Sequence, residues 1–158
     1  MVELVEWLRA QLAEDERIAR AATPGPWAWT PETDVWDQNG PTLIRQGHDD
    51  GEPAEVLAGW GHDAWGLTVS DADKAFIAAH DPARVLREVA ANRRRLERHT
   101  PQPMIGHDSD ENDPSTYVLG CSTCQVTVVH DGDWPCEEVR DMLVSYEDRP
   151  GYREEWRP

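Results

Sequence analysis

"SDADKAFIAAHDPARVLREVAANRRRLERH", Ser70 to His99, reads as two helices separated by a break. Ser70 or Asp71 can cap the first, because a short polar side chain accepts a bond from the unpaired N–H groups of a first turn. "HDP" at His80–Pro82 ends that helix. Asp81 then caps a second helix, with Pro82 in the first turn, where its missing N–H is not needed. Val85, Leu86, Val89 and Leu96 fall on one stripe of the second helix. Arg93, Arg94, Arg95 and Arg98 gather near its end, where cations complement the helix dipole. The run finishes on His99, so the helix carries an imidazole to whatever follows.

Upstream, residues 2–22 read as an amphipathic helix. Val5, Leu8, Leu12 and Ala19 form its stripe, flanked by Trp7 and Ile18. "TPGP" at Thr23–Pro26 stops it, since proline lacks the donor that a helix needs. Three β-like runs follow: "WAW" at Trp27–Trp29, "TLIR" at Thr42–Arg45 and "EVLAGW" at Glu55–Trp60. The turn-rich segments between them suit a small antiparallel sheet. Downstream, "TPQPMIGHDSDENDPST" reads as a long, mobile polar loop. A last helix opens at "WPC", with Val139, Met142, Leu143 and Tyr146 on one face. Tyr152 and Trp156 are placed to pin the tail. The expected fold is α+β. Residues 1–99 make a helix/sheet/helix core, and residues 100–158 a hairpin-helix module packed on it, together one cooperative domain.

All three cysteines lie in "LGCSTCQVTVVHDGDWPC", Leu119–Cys136. Cys121 and Cys124 form a C-x-x-C turn after a strand, a shape that aims two sulfurs at one tetrahedral metal. Cys136 opens a helix, where the dipole favours a thiolate. A knuckle, a hairpin whose β-like leg is "QVTVVHD" at Gln125–Asp131, and a helix-start ligand resemble a treble-clef zinc finger, but "CEEVR" offers no second helix ligand. The fourth ligand must come from elsewhere. His99 is the first choice, with Arg95 and Arg98 near to offset the net charge of Zn²⁺ with three thiolates. His130, His107, a carboxylate or water are the alternatives. A redox C-x-x-C and three plain buried cysteines compete with the zinc reading. A closed Cys3His site would be a structural staple.

The 158-residue chain has a net charge of −16, with 31 acidic and 15 basic residues. That balance disfavours direct nucleic-acid binding, which needs cations to replace phosphate counterions, and docking on anionic membranes. It suits plain solubility, or a protein partner that is basic or DNA-binding. No basic leader or long apolar run marks export or a membrane span, and clustered thiols suit a reducing cytoplasm.

Five of the six histidines precede an aspartate: His48, His62, His80, His107 and His130. A metal-dependent hydrolase using such pairs in a Trp-lined cleft, with Trp60 and Trp65 as walls, is therefore the competing function. "DSDEN" at Asp108–Asn112 has calcium-loop oxygens, but it lacks the central glycine and the final glutamate. No phosphate-binding glycine loop or nucleophile elbow is present.

Four features together resemble a family of small proteins of unassigned activity from actinobacteria and their phages or integrated elements. They are "ATPGPW" at Ala22–Trp27, the Asp71–His99 run, the C-x-x-C, and "WPCEEVRDMLVSYEDRPGYREEWRP" at Trp134–Pro158. The resemblance implies zinc held by Cys121, Cys124, Cys136 and His99. "CEEVR" departs from the more usual Cys-Pro-Thr-Leu-Arg without touching a ligand. The resemblance implies architecture and setting, and no activity. An accessory or interaction protein of phage or mobile-element type, with structural zinc, is the leading function, set against the His/Asp hydrolase.

Overall fold

A computed structural model describes residues 2–30, 42–46, 55–57, 70–124 and 134–157. Its elements are α1 (Val2–Ala21), β1 (Trp27–Trp29), β2 (Leu43–Arg45), β3 (Glu55–Leu57), α2 (Asp71–Ala79), α3 (Pro82–Arg98), β4 (Pro101–Met104), β5 (Val118–Cys121) and α4 (Glu137–Val144). Short 3-10 turns lie at Pro114–Thr116 and Glu154–Trp156. The fold is α+β, with the N-terminal helix first. The chain forms two compact units, residues 13–89 and residues 1–12 with 90–158. Each is described by itself.

In the unit of residues 13–89, β1, β2 and β3 pair antiparallel in chain order. Trp27 faces Arg45 and Trp29 faces Leu43. Two further bonds extend the β1–β2 ladder, Thr30 N–H to the Thr42 carbonyl at 2.8 Å and Gln46 N–H to the Pro26 carbonyl at 2.9 Å. The β2–β3 register slips between Leu43 and Ile44. α1 ends where expected, and the Trp27 indole donates to the Thr23 carbonyl at 2.9 Å just past its last turn. The Trp29 indole donates to the Lys74 carbonyl at 2.8 Å, which ties β1 to α2.

The two caps follow the sequence. Ser70 Oγ accepts from Asp73 N–H at 3.1 Å and donates to the Asp73 carboxylate at 2.7 Å. Asp81 Oδ1 accepts from Arg84 N–H at 2.7 Å. Asp81 is buried, and a Cβ at Gly25 would lie 2.8 Å from its carboxylate. The Thr-Pro-Gly-Pro stop therefore needs glycine so that its backbone can approach the α3 cap. Asp81→Ala should cost about 1–2 kcal/mol, and Asp81→Asn only a few tenths, because the amide oxygen still accepts. Urea denaturation of both variants checks this. Of the expected α3 stripe, Val89 and Leu96 are buried, while Val85 and Leu86 are half-buried. Ile18, placed beside the α1 stripe, is half-exposed.

In the other unit the polar-loop expectation fails. Residues 101–104 form β4, antiparallel to β5, with Pro101 opposite Cys121 and Met104 opposite Val118. Ser122 N–H donates to the Thr100 carbonyl at 2.9 Å. That phase puts the even-numbered residues of β4 in the hydrogen-bonding positions. Pro101 and Pro103 occupy the alternate positions, where no N–H is needed toward β5. The rest of the segment is bonded to itself: Ser109 Oγ accepts from Gly106 N–H at 2.8 Å, and Thr116 Oγ1 accepts from Asp110 N–H at 2.8 Å. Leu4, Val5, Leu8 and Leu12 of α1, Leu96, Trp134, Val139, Met142, Leu143, Tyr146 and Trp156 are among its buried apolar residues.

Candidate metal centre

α3 ends by presenting His99, whose N–H still bonds the Arg95 carbonyl at 3.0 Å. The carbonyls of a last helical turn lack intrahelical donors. Here the spacer of the Cys-Ser-Thr-Cys turn supplies them. Ser122 Oγ donates to the Arg98 carbonyl at 2.8 Å, and Thr123 Oγ1 donates to the same oxygen. Ser122 Oγ also accepts from Thr100 N–H at 3.0 Å. One short segment thus both caps α3 and sets the two sulfurs of the turn. β5 ends on Cys121, and Cys136 is the N-cap residue of α4.

These elements bring four side chains together. His99 Nδ1 lies 3.4 Å from Cys121 Sγ, 3.3 Å from Cys124 Sγ and 3.7 Å from Cys136 Sγ. All four ligand atoms lie within 4.8 Å of one another. A tetrahedral zinc with ordinary Zn–S and Zn–N bonds would place nitrogen and sulfur about 3.6 Å apart. The three observed separations bracket that value. His99, Cys121 and Cys136 are buried and Cys124 is exposed. The donor set and its dimensions fit one tetrahedral, thiolate-rich ion, and the group could hold a metal.

The thiols do not behave as the helix dipole alone would dictate. Burial pushes the Cys136 thiol up to about 12, despite the Val139 N–H at the start of α4, and its neighbouring sulfurs add to the rise. The expected thiolate-favouring effect at Cys136 is therefore outweighed. Desolvation of its sulfur, then Cys121, raises Cys124 as well. At Cys121 burial also acts upward, but the N–H groups of Cys124 and Thr123 outweigh it and hold the thiol below its usual value. Three thiols crowded in one site cannot all ionise without a cation to compensate them. The metal-bound form carries fewer protons, so it gains as pH rises and is lost on acidification. With Cys124 and Cys136 both raised, each ion bound near pH 7 should release about two protons or more. A weakly buffered titration checks this, and release of fewer than one would contradict it.

The hydroxyls of Ser122 and Thr123 escaped the sequence reading, although the spacer of a C-x-x-C is visible there. Because they orient the knuckle through Arg98, the pair Ser122→Ala and Thr123→Val should weaken metal affinity by about tenfold or more. Competition with a chromogenic chelator measures it. Arg95 on α3 faces Glu138 on α4, with Nε 3.5 Å from the carboxylate, one charge contact across the site.

The other candidates fall elsewhere. His107 is exposed and bonds the Asp108 carboxylate at 2.8 Å. His80 Nδ1 contacts the Phe76 carbonyl at 2.8 Å, and its ring stacks on Phe76. The Asp110 carboxylate of the calcium-like loop accepts from Asn112 N–H at 2.9 Å. His48, His62, His130, Trp60 and Trp65 lie outside the described residues, as do the strand expected after Cys124 and the end of the "EVLAGW" run.

No curated protein and no solved structure matches the chain significantly. The sequence profile of one family does match it, from residue 1 to residue 158, so the chain belongs to the family of unknown function DUF6221.

Proposed function

We propose that this protein is a zinc-stabilised accessory protein of the kind carried by phages and mobile elements, acting in the cytoplasm by engaging a basic or DNA-binding protein. The observation that carries the reading is the closed ligand set of His99, Cys121, Cys124 and Cys136. Four protein donors fill a tetrahedral ion and leave no position for water or substrate. Zinc held in this way supplies folding energy and no chemistry. The net charge of −16 supports a basic partner, because an acidic surface attracts cations and repels nucleic acid. No described helix is long and apolar enough to cross a membrane.

Elemental mass spectrometry on purified protein tests the metal, with one zinc per chain as the expected result. Affinity capture at low salt, repeated at high salt and with competing double-stranded DNA, tests the partner. The expected result is a basic protein released by both treatments. Capture that resists both, or a partner without basic excess, would overturn the charge-driven reading. Hydrolysis of a model phosphoester that depends on a second metal equivalent would favour the His/Asp enzyme instead.

A further inference from the structure

A cleft of about 250 Å³ opens beside the metal centre, within the unit that holds it. Trp134, Pro135, Trp156 and Leu4 form its apolar walls. Four charged side chains complete the lining: Glu3, Glu155, Arg140 and Arg153. Their charges are not matched evenly. Arg153 is paired with both carboxylates, Glu3 in direct contact and Glu155 at 3.6 Å, and its guanidinium sits over the Trp156 ring. Arg140 is half-buried and spends only Nε, on the Pro135 carbonyl at 2.9 Å. Among the described residues its two terminal nitrogens meet no acceptor. The indole Nε1 of Trp134, a residue only 3% exposed, is likewise buried without a hydrogen-bond partner.

We propose that this cleft is a binding site for a small carboxylic acid with a flat apolar body. The free edge of a guanidinium presents parallel N–H donors that match a carboxylate in two bonds. Tryptophan walls favour a planar apolar group. The volume falls below the ~300–1,000 Å³ of clefts that hold drug-sized ligands, so a single-ring acid is the right size. The acidic surface repels anions at long range, but at 0.15 M salt that field is screened beyond about 8 Å. The contact with Arg140 then decides binding. The site does not depend on the metal being zinc or on a protein partner.

Benzoate titrated into the metal-loaded full chain, with indole nitrogens labelled, tests the site. The Trp134 Nε1–H resonance, assigned through Trp134→Phe, should shift and saturate at millimolar benzoate. Benzamide has the same ring without the charge and should bind at least about tenfold more weakly. Arg140→Gln should weaken benzoate by a similar factor at unchanged metal content, and Arg140→Lys by less. Absence of a saturable shift in the wild type overturns the site. Equal binding of benzamide overturns the carboxylate, and inorganic phosphate binding as well as benzoate overturns the flat apolar body.

Discussion

Stripping the metal should unfold the segment from His99 to Tyr146 while leaving the β1–β2–β3 sheet in place. Around the site, among the described residues, β4 and β5 make a two-stranded sheet of four residues each, and α4 has eight residues. Neither element is stable alone, since two strands without a third and helices shorter than about 12 residues are marginal in water. A structural zinc contributes about 10–16 kcal/mol in small domains, as much as the entire stability of an ordinary domain. Chelation, or His99→Ala, should therefore abolish amide-exchange protection at Val118–Cys121 and Val139–Leu143. Protection at Trp27–Trp29 should persist. His99→Ala should purify with little or no metal. His99→Cys restores a four-donor set and should recover most of it, which separates loss of a ligand from damage to the α3 end. Unchanged protection after complete metal removal would show that packing alone holds the segment.

That the helix from Pro82 leads into the histidine of the His/Cys cluster was legible because every signal was local. Asp81 and Pro82 mark its start, arginines mark its end, and His99 follows directly. Cys121, Cys124 and Cys136 were legible by spacing, and His99 could be chosen over His107 because it ends a stiff element. β4 was illegible for an equally local reason. Two prolines in four residues argue against a strand, and only the register against β5 reveals that both fall in positions that need no donor. The raised thiol of Cys136 was misread because a helix-start argument is one-dimensional, whereas burial and neighbouring sulfurs are set by the fold. The charged cleft draws on residues 3, 134, 140 and 153, a combination that no sequence pattern announces.

The clasp between the two ends of the chain was only half visible. Tyr152 and Trp156 could be read as anchors, but their receptor could not. It is Trp7, 143 residues from the carbonyl it binds: its indole donates to Pro150 at 3.1 Å. Its ring meets Tyr146, Tyr152 and Trp156 at centroid distances of 6.5, 6.0 and 5.1 Å. Trp7→Ala should destabilise the protein by about 2–3 kcal/mol, below the ~3–5 kcal/mol of a fully buried aromatic because Trp7 is half-buried. Gly151 is tied to the same ring by two separate constraints. Its φ is +85°, and a Cβ there would lie 2.9 Å from Trp7 Nε1. Gly151→Ala should therefore cost about 2–4 kcal/mol, combining left-handed strain of roughly 1–2 kcal/mol with the overlap on the indole. A double-mutant cycle apportions the two. Trp7→Phe keeps most of the ring packing, removes the donor, and should cost about 1 kcal/mol alone. Because it also vacates the space that an alanine at 151 would invade, Gly151→Ala should cost about 1 kcal/mol less in that background. Urea denaturation of the four proteins measures the coupling. Strict additivity would mean that backbone strain accounts for the whole effect and that the approach of Gly151 to Trp7 carries no energy of its own.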